Sequence, residues 1–430
     1  MNTTIRYSRR ASSARRGCAL AACGLTVGAL TDGALADWES TPDIRMEIEA
    51  NDNPRLGQEP GELGADELGD HTATRALMDA RVRLRNVGPR GEVMVQPRVR
   101  ADTYSDDADD DLERQDFYLN SRAGYGWPRA NAAVALNLSR ESIISSELAD
   151  TPAPDDPIED PIDDETGLLV LLDEFRKRVS IAPSAQFLIS ERSSILLEAR
   201  RLDIAYTGPD FRGRTDFNDT SLSLGVGRNI DDRTNAAARL IASRYEADAT
   251  QNETDTVGVE GSFTRELNAL WSFTLTTGLQ RSDFTFVDEL GEVVDNATTD
   301  WTMSLGFAKR TELSSVDIGL FRVLNPNAVG FLVERNEVRL RFGRQLSERL
   351  SVGFGLRAME TGALDRDTSD REYIRADFDL EWAFTPSWSF AARYGAIDQE
   401  FSGERLDGTA NMLSIGAVYR GLSRPAPAAR

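Results

Sequence analysis

The sequence predicts an all-β protein, a transmembrane antiparallel up-and-down β-barrel of sixteen to eighteen strands, with eighteen preferred. Three observations predict it. Apolar and polar residues alternate with a period of two over runs of about ten residues, the length that crosses a bilayer at a tilt. Short turns recur along the chain, separated by longer polar connections. Aromatic residues gather beside the turns, as they do at a membrane interface.

The first element is an export signal. Arg6, Arg9, Arg10, Arg15 and Arg16 precede a small, apolar stretch over residues 17–30, and Ala34-Leu35-Ala36 then gives a small-x-small site before Asp37. A positive region, a short apolar core and small cleavage residues form a secretory signal peptide. Leu20-Ala21-Ala22-Cys23 resembles a lipoprotein box, but it sits early and the apolar run continues past it. The expected organisation is a cleaved signal at 1–36, a barrel at 37–421 and a tail at 422–430. Cys18 and Cys23 are the chain's two cysteines. Cleavage removes both, and a cysteine-free product suits an oxidising compartment. Localisation in the outer membrane follows from the signal and the barrel together.

The strands follow in order. Met78, Ala80, Val82 and Leu84 alternate with Asp79, Arg81, Arg83 and Arg85. Val257, Val259 and Phe263 alternate with Gly258, Glu260, Ser262 and Thr264. Val338, Leu340 and Phe342 alternate with Arg339, Arg341 and Gly343, and Val352, Phe354, Leu356 and Ala358 with Gly353, Gly355 and Arg357. Ile374, Ala376, Phe378, Leu380, Trp382 and Phe384 are separated by Arg375, Asp377, Asp379 and Glu381; after Thr385-Pro386-Ser387 the pattern resumes at Trp388. The runs at 195–206 and 236–245 are the weakest, because Arg201, Asp203 and Arg244 disturb them.

Short turns are expected near Gly88, Arg129, Glu191, Asp232, Asn268, Leu313, Glu348 and Pro386. Longer connections are expected at 51–75, 103–113, 141–173, 206–214, 246–254, 285–298, 324–332, 360–370 and 398–408. That order gives one strand, eight hairpins and a last strand ending near Tyr419. An even strand number puts both termini on the short-turn side, the periplasm. Trp127, Trp271, Trp382, Trp388 and Tyr419 stand beside short turns as an aromatic girdle. A large soluble β-sandwich would keep shorter strands and would not carry charge and glycine on one whole face.

Several motifs carry a resemblance. Glu49-Ala50-Asn51-Asp52-Asn53-Pro54 resembles the start shared by a large group of Gram-negative outer-membrane barrels. Leu188-Ile189-Ser190-Glu191-Arg192-Ser193 and Leu346-Ser347-Glu348-Arg349-Leu350-Ser351 resemble its recurrent turns, and Asn325-Pro326-Asn327-Ala328-Val329-Gly330 one of its connections. The chain is similar in this way to the beta-barrel porin 2 group, over essentially the whole mature length. The resemblance implies an outer-membrane barrel, some relatives of which accompany exopolysaccharide export. In one respect the chain departs from it: Tyr419 is followed by Arg420 to Arg430, so Ser414-x-Gly416-x-x-Tyr419 keeps part of an assembly signal away from the C-terminus.

Composition narrows the function. The 430 residues include 49 Lys+Arg, 71 Asp+Glu and one His, a formal net charge of −22. Nucleic-acid binding needs a basic face and is not expected. A single His, His71, argues against His-based catalysis and zinc, so neither an enzyme nor a metal or cofactor site is expected. The acidic runs 105–111 and 155–165 read as solvated loops, with divalent-cation binding the weaker alternative and no calcium-loop spacing present.

The candidate site residues are basic and face the lumen: Arg81, Arg83, Arg98, Arg100, Arg122, Arg339, Arg341, Arg357, Arg375 and Arg393. Asp377, Asp379 and Glu381 are their acidic neighbours. A one-residue slip would place Arg339, Arg341, Arg357, Arg375 and Arg393 in lipid at roughly 2–4 kcal/mol each at the midplane. They select anionic or sugar-like solutes, or they pair with the interleaved acids and only satisfy the lumen. The expected function is a passive channel for small hydrophilic solutes. The alternative is a non-conducting accessory barrel associated with exopolysaccharide export. Expected partners are outer-membrane lipid, the barrel-assembly machinery, and a small solute or polysaccharide. Leu168-Leu169-Val170-Leu171-Leu172 extends the sixth strand or folds inward, the extension being favoured. Pro97 and Pro183 fall on outward strand positions, tolerable at ladder gaps.

Overall fold

The computed structural model describes residues 38–54, 72–105, 112–143, 175–207, 215–247, 252–287, 293–326, 332–363, 371–401 and 408–421. His71, the apolar run 168–172, the acidic residues 106–111 and 155–165, the export signal and the tail 422–430 lie outside them.

Eighteen strands form one sheet. They are β1 (Glu39–Asn51), β2 (Ala73–Val87), β3 (Gly91–Tyr104), β4 (Gln115–Trp127), β5 (Ala130–Ser142) and β6 (Phe175–Leu188), then β7 (Ser193–Thr207), β8 (Phe217–Asp231), β9 (Thr234–Ala247), β10 (Asn252–Glu266), β11 (Trp271–Val287) and β12 (Val293–Arg310). The last six are β13 (Ser314–Pro326), β14 (Leu332–Gln345), β15 (Leu350–Ala363), β16 (Arg371–Ala383), β17 (Trp388–Phe401) and β18 (Gly408–Arg420). Each pairs antiparallel with its neighbours in sequence, and β1 also pairs with β18. The sheet is therefore a closed barrel with no free edge to template aggregation.

All eight expected short turns stand between strands. Four of them close by a recurring device, in which a short polar side chain accepts the amides two and three residues on. Ser190 Oγ accepts from Arg192 N at 3.3 Å and Ser193 N at 3.1 Å, and Ser347 Oγ from Arg349 N at 3.3 Å and Leu350 N at 3.2 Å. Asn268 Oδ1 does the same for Leu270 and Trp271, and Thr385 Oγ1 for Ser387 and Trp388. The recurrent Ser-Glu-Arg turns are thus hydrogen-bonding units.

The other motif is a clasp. Asp52 Oδ1 accepts from Asn411 N at 2.6 Å, Asp52 Oδ2 accepts from Asn411 Nδ2 at 2.9 Å, and Asn53 Nδ2 donates to Thr409 O at 2.8 Å. These bonds tie the chain just after β1 to β18 and so staple the barrel's closing seam. Gly416, opposite Glu47, belongs to the same seam. A Cβ there would run into the carbonyl of Met46 and approach Glu47 Cα at 2.9 Å, so only glycine fits.

Burial is inverted relative to a soluble protein. On β16 Ile374, Phe378 and Trp382 are exposed while Tyr373, Arg375 and Asp377 are buried; on β10 Val257 and Val259 are exposed while Thr254 and Thr256 are buried. An apolar outside around a polar inside is the arrangement of a barrel whose solvent is lipid. At the short-turn rim the aromatics stack in pairs: Tyr125 on Trp127 at 4.6 Å, Phe273 on Phe307 at 5.0 Å and Trp388 on Tyr419 at 5.1 Å between centroids.

Four expected connections are corrected: β13 and β14 leave only residues 327–331 between them, not 324–332, β17 and β18 leave 402–407, not 398–408, and two more involve β9 to β12. Strands β9 and β10 leave only residues 248–251 between them, not 246–254, and β11 and β12 leave 288–292, not 285–298. The polar residues assigned to loops stay in the ladder, because backbone pairing does not need apolar side chains. Their outward faces are charged instead. Arg201 pairs with Asp203 at 2.8 Å, Arg244 with Glu246 at 2.8 Å and Glu253 at 2.5 Å, and Arg281 with Asp283 at 3.1 Å. At the same level the inward face is apolar, a buried cluster of Ile143, Leu202, Ile204, Tyr206, Phe217, Tyr245 and Ala247. Here the wall has left the apolar belt and is built like a soluble protein. Arg201, Asp203 and Arg244 do not break the alternation; they mark where the outer surface changes from apolar to polar.

Candidate functional site

The interior has two unlike walls. On β14 to β17 the inward positions carry long charged side chains that pair with one another. Glu337 is the hub. Arg357 Nε donates to its Oε1 at 2.8 Å, Arg339 Nη2 to its Oε2 at 3.0 Å, and Arg335 Nε lies 3.4 Å from Oε2. Arg339 also lies over the Phe321 ring, 4.8 Å from its centroid. Arg375 makes a two-point pair with Asp377 at 2.9 and 3.0 Å, and Arg393 meets Asp379 at 2.6 Å. Glu381 receives Arg420 and Ser389. Arg357 is 1% exposed and Arg375 2%, so matched charge fills this wall around Glu337 and Asp377, while toward the short turns a cavity of about 450 Å³ remains, lined by Arg344, Gly353, Asp379, Glu381 and Arg393. Gly353 and Gly355 stand opposite Asp379 and Asp377 in the register of β15 and β16.

On β2 to β10 the interior opens into a cavity of about 920 Å³. Its basic lining is Arg81, Arg83, Arg98, Arg122, Arg200 and Arg239, and its acids are Glu198 and Glu260. Arg98 pairs with Asp79 and has the Tyr118 ring 5.3 Å away; Arg81 reaches Asp43 at 3.4 Å. Arg239 bridges Glu260 and Glu198, the latter at 2.9 Å. Arg83 Nε donates to Gln96 Oε1, a neutral partner, at 3.2 Å. The strand register sets Gln96 opposite Asn120 and Asn120 opposite Asn137, and all three amides line the cavity with Arg83.

The expected arginines therefore divide. Arg81, Arg83, Arg98 and Arg122 meet around the cavity, and Arg339, Arg341, Arg357, Arg375 and Arg393 belong to the other wall. Arg100 is buried near the long-loop end, beside a network in which Asp102 accepts from Arg75 at 2.9 Å and Arg114 at 2.7 Å. Trp127, Trp271, Trp382 and Trp388 are exposed on the outside, and Tyr419 packs on Trp388.

The sequence reading missed Arg335, Glu337, Arg200 and Arg239. The first two were legible: extending the parity of Arg339 and Arg341 back by two and four residues gives Glu337 and Arg335. The other two sit on the strands whose alternation looked weakest. Among the described residues no group of three or more His, Cys, Asp or Glu is placed to hold a metal ion.

No family model matches the chain, and no curated protein matches it. Solved structures of similar fold include a BenF-like porin from Pseudomonas fluorescens Pf-5, at 10% identity over 91% of this chain and 100% of that one, with a TM-score of 0.44. OccAB2 of Acinetobacter baumannii is 12% identical over 91% of this chain and 99% of that one, TM-score 0.44. OccK2 (OpdF) of Pseudomonas aeruginosa, solved in complex with glucuronate, is 10% identical over 91% and 100%, TM-score 0.43. At such identities and scores the function has to be argued from this barrel's own residues.

Proposed function

We propose that the chain is an outer-membrane channel that passes small hydrophilic solutes passively. The observation that carries the reading is the inverted barrel: a closed wall of eighteen strands, apolar outside, with a polar cavity of about 920 Å³ within. At this strand number side chains do not fill the interior by themselves, so water enters where the wall residues are short. A cleaved signal at 1–36 would deliver the chain to the periplasm, and Ser414-x-Gly416-x-x-Tyr419 would engage the assembly machinery. In that orientation the termini and short turns face the periplasm, and the aromatic rim of Trp127, Trp271 and Trp388 lies at the inner interface of the bilayer. The groups the interior presents are those of solute recognition: guanidiniums, amides and hydroxyls.

Single-channel recording in planar bilayers tests the proposal. The purified, refolded protein is expected to insert and conduct in discrete steps. A protein that is folded, shown by heat-dependent migration on gels, yet never conducts would instead be the non-conducting accessory barrel.

A further inference from the structure

Pro97 and Pro183 so far have only an architectural reading. Each lies where a ladder is interrupted. Between β2 and β3 the pairing passes from Arg81–Arg98 to Leu84–Val95, and between β6 and β7 from Ile181–Arg201 to Ser184–Glu198. Proline has no N–H to donate, so the rungs beside it are lost. Both gaps open on the same cavity: Arg83, Gln96, Ala182, Pro183, Ala199 and Arg200, which flank the two gaps, all line it.

Small inward residues line the cavity on β5 and β6, between the gaps, and on β8, beyond the second: Ala133 and Ala135, Ala182 and Ser184, and Ser221 and Ser223. The far wall, by contrast, carries the paired arginines and acids that reach into the lumen. A wall of short side chains facing a wall of long ones leaves the wider opening on the short side, a cavity of about 920 Å³ against about 450 Å³ beside Asp379 and Arg393. The charge is also uneven. Six arginines line the cavity against Glu198 and Glu260. Adding Asp43 and Asp79, which pair with Arg81 and Arg98, still leaves more guanidiniums than carboxylates. Such an excess in a low-dielectric cleft concentrates anions.

We propose that the passage runs off-centre, along β2 to β10, and that its cavity is a binding site for small hydroxylated carboxylates. Arg83 and Arg122, both exposed to the cavity, grip the carboxylate, and the amide row Gln96, Asn120 and Asn137 receives the hydroxyls. A guanidinium's planar fork matches a carboxylate, and amides both donate to and accept from hydroxyls. The volume falls in the range of pockets that enclose a small ligand. The passage rests on the channel reading given above; the binding does not.

The probe is gluconate, with sorbitol as its uncharged counterpart, titrated calorimetrically into the folded full-length protein in detergent. Gluconate is expected to bind and sorbitol at equal concentration not to. Arg83→Gln and Arg122→Gln are each expected to weaken gluconate by about tenfold, the loss of one charge-assisted hydrogen bond. Arg393→Gln, on the paired wall, is expected to leave the affinity unchanged. Each variant is first checked for folding by heat-dependent migration, and either cavity variant alone suffices if the other fails to fold. Binding of sorbitol as tightly as gluconate, no binding of gluconate, or unchanged affinity in a folded cavity variant overturns the site. Gluconate binding without conductance sinks the channel reading and leaves the site standing; conductance without binding does the reverse.

Discussion

At the scale of single residues, Glu337 carries the paired wall. Three guanidiniums, those of Arg335, Arg339 and Arg357, converge on one buried carboxylate. Removing it leaves three cations packed together without their shared counter-charge. Glu337→Gln is expected to cost about 3–5 kcal/mol, the usual penalty of breaking a buried pair from one side. A lower temperature for the heat-induced shift from folded to unfolded migration would show it; an unchanged transition would mean the arginines find other carboxylates. Arg85 and Glu92 make the contrast. Their pair, 2.6 Å apart, is open to solvent near a short turn, and Arg85→Gln is expected to leave that transition where it is. The same logic bears on the arginines as selectors. Arg339, buried and engaged by Glu337, is held as a structural partner. Arg83, with a neutral amide partner and an exposed side chain, is free to reorient toward a solute.

At the scale of elements, the seam and the turns carry the predictions. Strand β18 must approach β1 closely at Gly416, so Gly416→Val is expected to destabilise the barrel by about 1–3 kcal/mol through overpacking. Its heat-induced shift should fall, and refolding into detergent should slow, since closure is the contact of widest sequence separation. Unaltered refolding would show that the seam can yield. The hairpins predict topology. Cysteine placed at Glu348, in a short turn, is expected to resist a membrane-impermeant reagent on whole cells, while cysteine at Thr207, at the opposite end of β7, reacts. Reaction at 348 from outside would invert the proposed orientation. Most of this level was readable from the chain. Ser190, Ser347, Asn268 and Thr385 announce turns because their side chains close them locally, without help from the rest of the fold. The connections at 248–251 and 288–292 were not readable as short. Their polar flanks look like loop, and only pairing with a neighbouring strand keeps Glu253 and Asp295 in the ladder.

At the scale of the whole molecule, the outer surface is zoned. Val259, 53% exposed, sits midway along β10 in the apolar belt, whereas Thr285, near the end of β11, lies in the charged band. Val259→Arg is expected to cost about 2–4 kcal/mol in folding into bilayers, and Thr285→Arg far less. Reversible unfolding in phospholipid vesicles measures the difference; equal costs would remove the distinction between belt and band. The zoning also shows how described acids are accommodated: Asp203, Glu246 and Asp283 stand in the charged band, and Glu337, Asp377 and Asp379 pair inside.

The sequence by itself determined the fold class, the strand number, the places of the eight short turns and, on the strands of clear alternation, which side faces inward. These are local matters: a period of two, a turn residue, a proline. Which inward residues meet was decided only by the tertiary structure. Parity puts Arg83 and Arg339 on the same inner surface and cannot tell them apart. Closure then sets Arg339 among Arg335, Glu337 and Arg357 and sets Arg83 beside a gap lined by alanines and serines. The difference between a filled wall and an open one depends on the summed lengths of side chains that lie opposite one another across the barrel, contributed by strands far apart in the chain, and no single stretch of the sequence contains that sum.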